Sequence, residues 1–257
     1  MADIADIIDL ERWPIGDLTS PQTQAVVAKA REKLRDPGYF TMPGFLRAGI
    51  LPAVQAQSRD LLANGHRQVH ERDGGLRRSK PGVTRAALVC AGGDRMAPDS
   101  PLRQVHAWQP LTDFLGAVFG VEPYYRSADP MAGCMLTGYG PGDELGWHYD
   151  PNDGVVTLMV QQAGSGGVFE FAPAVRRDAE DPATEIVDAV VEGRWPGTLS
   201  EDQEAGTLAL FNGHRAPHRV TPIASEPERI MLVMSYDSKP DQVFSDEIRM
   251  NFFGRTA

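Results

Sequence analysis

The chain has 257 residues, 42% of them hydrophobic and 23% charged, which is enough for one large core and too well mixed for global disorder. A net charge of −10 excludes a general affinity for the nucleic-acid backbone, which rewards basic surface. The acidic N-terminus lacks the layout of a signal peptide, and no run approaches the roughly 20 apolar residues that span a bilayer, so a cytoplasmic protein is expected. Cys90 and Cys134 have no CxxC spacing and read as buried thiols of a reducing compartment.

The first half is read as mainly helical. Ser20-Pro21 supplies an N-cap and a first-turn proline for a helix through Val26, Val27, Ala30 and Leu34, stopped by Asp36-Pro37-Gly38. Tyr39–Met42 follows as a short strand. A second helix covers Ile50 to Ala63 and ends at Asn64-Gly65, and a third covers Pro101 to Phe119, kinked or divided at Pro110. From Met131 onward, short β-rich runs alternate with Gly, Pro and Asp: Met131–Tyr139, Gly154–Gln161, Gly167–Phe171, Gly206–Phe211, His218–Ile223 and Arg229–Tyr236. Many short strands bounded by turn residues predict a mainly β fold with N-terminal helices, a jelly roll. An acidic stretch, 175–204, interrupts the strands and reads as a surface excursion with a short helix. Gly164-Ser165-Gly166-Gly167 reads as a hairpin turn, since no phosphate-binding lysine or helix follows it.

Within Gly146-Trp147-His148-Tyr149-Asp150, an imidazole and a carboxylate stand two residues apart. On a strand such residues share a face, so both can reach one metal ion. A further imidazole comes from either His214 or His218. Two histidines and one carboxylate form a facial triad suited to Fe(II), leaving positions open for a co-substrate and oxygen. Trp147 and Tyr149 point to the opposite face and read as packing.

The run Tyr139-Gly140-Pro141-Gly142-Asp143-Glu144-Leu145-Gly146-Trp147-His148-Tyr149-Asp150 resembles the Tyr-x-Pro-Gly-x-x-Leu-x-x-His-x-Asp segment of the Fe(II)/2-oxoglutarate-dependent dioxygenases, a superfamily that includes the prolyl hydroxylases. Gly206–Phe211 followed by His218-Arg219-Val220-Thr221-Pro222 resembles that family's second-ligand strands, and Arg229 stands eleven residues after His218, about where its co-substrate arginine lies. The resemblance covers roughly residues 124–236, with a looser match at Leu34–Phe40. It implies a double-stranded β-helix forming a single oxygenase domain: support and a substrate loop in 1–123, a core in 124–240 with the 175–204 insertion, and a C-terminal segment, 241–257. It implies Fe(II), 2-oxoglutarate and O2, with His148, Asp150 and His218 as ligands; the place of His218 just before the Arg219-Val220 pair favours it over His214. Arg229 is implied to pair with the distal carboxylate of 2-oxoglutarate, aided by Tyr139 and Thr137, with Arg219 next in line.

Hydroxylation of a small molecule, with release of succinate and carbon dioxide, is the implied reaction. Desaturation, cyclisation and halogenation stand as alternatives of the same chemistry, although a halogenase needs its halide where Asp150 stands. A non-catalytic binding protein on the same fold is the alternative from another class. Between Gly65 and Arg95 seven basic residues face three acidic ones. With Gly74-Gly75 and Pro81-Gly82 the stretch reads as a loop, from which Arg77, Arg78 or Arg85 would meet an anionic substrate. The oligomeric state is not legible in the sequence.

Overall fold

The computed structural model describes residues 3–73, 83–150, 155–173, 175–176 and 183–257. Its helices are α1 (Ile4–Ile7), α2 (Pro21–Arg35), α3 (Leu51–Ala63), α4 (Pro101–Ala107), α5 (Gln109–Phe119), α6 (Thr184–Val191) and α7 (Asp246–Phe253). The first strands are β1 (Tyr39–Met42), β2 (His66–Asp73), β3 (Val83–Ala91), β4 (Tyr125–Arg126), β5 (Cys134–Tyr139), β6 (Glu144–His148) and β7 (Val155–Gln161). They are followed by β8 (Ser165–Gly166), β9 (Phe169–Phe171), β10 (Leu199–Glu201), β11 (Leu208–Phe211), β12 (His218–Val220), β13 (Ile223–Ser225), β14 (Arg229–Met234) and β15 (Tyr236–Asp237). Among the described residues no helix is long and apolar enough to cross a membrane.

Local chemistry accounts for the helix ends. The Ser20 hydroxyl accepts from the Thr23 amide, and Pro21 occupies the first turn of α2, where its missing N–H costs nothing. Pro110 cannot donate to the carbonyl one turn back, so the third predicted helix divides into α4 and α5 around an extended Trp108.

Eleven strands form one antiparallel sheet in the order β1-β11-β7-β14-β5-β3-β6-β12-β9-β10, with β2 added beside β3. Alternation sorts its two faces. Phe40, Leu210, Val156, Leu158, Ile230, Leu232 and their neighbours point outward into the main core, against α2, α3 and α5. Each fully buried side chain of this kind contributes about 1.5–3 kcal/mol. Tyr39, Phe211, Tyr139 and Cys90 belong to separate inner clusters. The sheet is curled, because Tyr39 of β1 stacks on Phe169 of β9, near the other end of the strand order, at 5.6 Å. This is the jelly-roll fold expected.

Three expectations need correction. The Gly65–Arg95 stretch is mostly a β-hairpin, not a loop: β2 and β3 pair from His66↔Cys90 to Asp73↔Val83, and β3 lies between β5 and β6. Gly74-Gly75 and Pro81-Gly82, which suggested the loop, lie outside the described residues, and β2 is an edge strand whose Arg67, Glu71, Arg72 and Asp73 discourage further pairing. The helices of the N-terminal half are thus joined by a hairpin that the sequence reading did not include. The run His218–Ile223 is two strands, with β12 in the large sheet and β13 paired to β8. The 175–204 insertion does contain a helix, but it is also built into the fold. Val187 and Val190 of α6 pack with Trp147 on the outer side, and β10 extends the sheet from β9. Cys90 and Cys134 are buried free thiols, and burial pushes each up to about 12.

Candidate metal and co-substrate site

His148 ends β6 and His218 begins β12, and the two are directly paired across the sheet. Between this pair and Val220↔Leu145 the register shifts, a bulge that lets Leu145 reach the inner cluster while Trp147 packs outward against α6. Asp150 follows two residues after His148, its amide bonded to the Gly213 carbonyl at 3.1 Å. One donor atom from each of His148, Asp150 and His218 lies within 4.8 Å of the others, and the two imidazole centroids are 4.1 Å apart. His214 stays in its turn, outside this group.

Both rings are held in one tautomer. His148 Nδ1 donates to the Gly146 carbonyl at 2.8 Å, and His218 Nδ1 donates to the Ala216 carbonyl at 3.0 Å. A carbonyl can only accept, so each Nδ1 carries a proton, and the neutral form of each ring presents its lone pair at Nε2. His218 Nε2 and His148 Nε2 lie 3.0 and 3.8 Å from the Asp150 carboxylate oxygens. The nearer contact is not aligned as a hydrogen bond, and Asp150 Oδ2 is buried without a partner. Burial, with the adjacent His218 ring second, pulls His148 down to about 4, so it stays neutral near neutral pH. Burial also pushes the Asp150 carboxyl up, but the two adjacent imidazoles outweigh it and hold the group below its ordinary range. Two imidazole nitrogens and a carboxylate oxygen without a hydrogen-bond partner fit a hard-to-borderline divalent ion such as Fe(II).

Arg229 opens β14 opposite Tyr139 and is 4% exposed. Its Nε is buried without a hydrogen-bond partner, and among the described residues it has no ion pair. Burial pulls the guanidinium down, and the Tyr139 ring lies 5.7 Å beneath it. Burial raises the Tyr139 phenol to about 12, so it is a protonated donor. Thr137 is buried on the same face and its hydroxyl donates to the Met231 carbonyl at 3.4 Å. A buried guanidinium without a counterion fits the distal carboxylate of a dicarboxylic co-substrate. Arg219 is already engaged: it pairs with Glu170 at 2.7 Å and lies over Trp147 at 4.9 Å.

Of the arginines expected to meet substrate, Arg85 donates to the Gly142 carbonyl at 2.7 Å and pairs with Glu144 at 3.5 Å. Arg77 and Arg78 lie outside the described residues.

Sequence reading missed two parts of the site. The first is an aromatic wall: Phe211 and Phe169 stand 4.8 and 5.8 Å from the His218 ring, with Tyr39 and Phe171 behind them. The second is Gly213, where a Cβ would lie 2.0 Å from Asp150 Oδ2. Its Asn212-Gly213 pair signals a turn, but nothing local in the sequence shows what the turn touches.

A family profile described as Halogenase D matches residues 22–251. The chain belongs to the Halogenase D family. No curated protein matches it in sequence. Among solved structures, the family member is similar to the epimerase SnoN, whose structure is a complex with Fe3+, alpha ketoglutarate and nogalamycin RO, at 14% identity and a TM-score of 0.60, covering 83% of this chain and 84% of that one. It is also similar to AviO1 from Streptomyces viridochromogenes Tue57, at 17% identity and a TM-score of 0.58, over 84% and 96% of the two chains. A Pseudomonas putida prolyl-4-hydroxylase gives 18% identity and a TM-score of 0.52 over 81% and 97%. At these identities the likeness is one of fold, and the fold is that of the 2-oxoglutarate oxygenases.

Proposed function

We propose that this Halogenase D family protein is an Fe(II)- and 2-oxoglutarate-dependent oxygenase that hydroxylates an unactivated carbon of a small molecule. The observation that carries the reading is the convergence of His148, Asp150 and His218 in the barrel that also buries Arg229, which has no ion pair among the described residues. His148 and His218 would hold iron through Nε2 and Asp150 through its carboxylate, and Arg229 with Tyr139 would hold the distal carboxylate of 2-oxoglutarate. Iron and 2-oxoglutarate, when bound, supply the oxidation of substrate by O2 with release of succinate and carbon dioxide. The chain contributes positioning: the Gly146 and Ala216 carbonyls fix both rings, and the aromatic wall excludes water beside His218.

The family's description favours halogenation as a second reading. A halide would need a position on iron that a carboxylate ligand fills, and Asp150 supports oxygenation instead. The test begins with anaerobic titration by Fe(II) and 2-oxoglutarate, followed through the visible charge-transfer band of the chelate. Wild type and His214→Ala are expected to form the band, and His148→Ala, Asp150→Ala and His218→Ala to lose it. Loss of the band in His214→Ala with retention in His218→Ala would refute the ligand assignment. Small metabolites are then screened by succinate release in chloride buffer, with products identified by mass. Oxygenated product is expected, and chlorinated product from the unaltered protein overturns the hydroxylase reading.

A further inference from the structure

Three segments far apart in the chain meet at the end of β3 away from the metal. Ala86 of β3 pairs with Leu145, three residues before His148, whereas Cys90 pairs with His66 at the other end of the strand. There a cleft of about 150 Å³ is lined by Asn64 and His66, by Cys90 and Arg95, and by Phe253 and Arg255 of the C-terminal segment. That volume is well above the roughly 10–15 Å³ that admits one water molecule. The C-terminal segment is packed closely here, since a Cβ on Gly254 would lie 2.7 Å from His66 Nδ1.

The lining carries two guanidiniums and an imidazole and no carboxylate, in a chain of net charge −10. Each arginine makes a bond that orients it. Arg95 Nη1 donates to the Asn64 carbonyl at 2.6 Å, at the C-terminal end of α3, where a cation is favoured. Arg255 Nη2 donates to both oxygens of Asp94, which is not itself in the lining, at 2.8 and 2.7 Å. Among the described residues these bonds use one terminal nitrogen of each fork, and a guanidinium has five N–H donors in all. One fork is enough to match a planar carboxylate, whereas a tetrahedral oxyanion offers acceptors to two forks at once.

The structure assigns this cleft as a binding site for a phosphate-class oxyanion, held by Arg95 and Arg255 with His66 beside them. Asp94 is its competitor for Arg255. A bound anion would tie residues 253–255 to the ends of α3 and β3, and so hold α7 on the inner cluster that Phe253 shares with Tyr139.

The test is isothermal titration of inorganic phosphate into the metal-free full chain, with ionic strength held constant by chloride. Wild type should bind with a Kd of about 1 mM or tighter, the scale of three charge-assisted hydrogen bonds. Acetate should give no saturable heat in the same range. Arg95→Met and Arg255→Met should each weaken phosphate about fivefold or more. Asp94→Asn should tighten it about threefold by removing the competitor, while Asp99→Asn, at an exposed position outside the lining, should change nothing. Arg229→Met should bind phosphate as wild type does. Absence of saturable binding to wild type overturns the assignment, as does equal binding of acetate. Equal shifts in Asp94→Asn and Asp99→Asn would mean a diffuse charge effect and no site. Binding lost in Arg229→Met and kept in Arg95→Met would put the anion in the co-substrate pocket, which overturns the cleft and leaves the proposed function standing.

Discussion

Arg229→Met separates a binding cation from a structural one, because the two roles move stability in opposite directions. Methionine keeps most of the stem that passes Gly167, where the Arg229 Cδ lies 3.2 Å from the position of an added Cβ, and removes only the charged fork. The guanidinium is buried without an ion pair among the described residues, and a buried charge of this kind costs several kcal/mol. The Tyr139 face at 5.7 Å returns about 0.5–2 kcal/mol of that as a cation–π contact. Removing the charge should therefore stabilise the metal-free protein by about 1–3 kcal/mol, an order-of-magnitude difference between those two effects. For a chain of this size that is a rise of roughly 3–8 °C in Tm. The same change should weaken 2-oxoglutarate by about 1.5–3 kcal/mol, on the order of 10- to 100-fold. Thermal unfolding with and without saturating 2-oxoglutarate reads both effects in one assay: the variant should melt higher alone and gain less from the ligand. A variant that melts lower alone and gains as much as wild type would show the guanidinium to be structural and refute the reasoning.

Two further perturbations test other parts of the site and core. Gly213→Ala places a methyl group 2.0 Å from Asp150 Oδ2 and must displace the carboxylate, so iron affinity should fall on the order of 10- to 100-fold with the fold retained by circular dichroism; unchanged Fe(II) affinity would show that Asp150 is not held there. His106 packs edge-on to Tyr236, and burial lowers it to about 4 from an ordinary 6.5. Above 6.5 the folded and unfolded states are both neutral at this group, while between 6.5 and about 4 only the unfolded chain takes the proton, so folding stability falls as pH falls through that window. The loss attributable to His106 is about 2 kcal/mol by the lower end of the window, discounted because the ring partly reaches solvent. Urea unfolding of metal-free wild type and His106→Phe across that range should show a flatter profile in the variant, and identical slopes would remove His106 as the cause.

The elements legible in the sequence were those whose signals are local. A serine before a proline fixed the start of α2, Pro110 divided α4 from α5, and short β-rich runs bounded by turn residues marked β7, β11 and β14. The two-residue spacing of His148 and Asp150 placed them together, and the apolar strand after His218 favoured it over His214. The hairpin of β2 and β3 was missed because β2 is a polar edge strand, whose alternation carries no hydrophobic signal. The insertion was taken for an excursion because its contact with Trp147 is made by a helix far along the chain.

The sequence alone determined which chemistry was available: two imidazoles, a carboxylate and an arginine at strand positions, each fixed by turn residues and alternation within a few neighbours. Tertiary structure decided which of these groups lack partners. Arg229 and Arg219 look alike as residues that begin or follow a strand start, yet one is buried beside a tyrosine ring with no counterion among the described residues and the other is paired to Glu170. Likewise only the curl of the sheet brings Tyr39 and Gln203, 164 residues apart, into one hydrogen bond. Whether a charge is spent or free depends on burial and on strands distant in the chain, and the cost of leaving it free in a low-dielectric interior is what makes it a site.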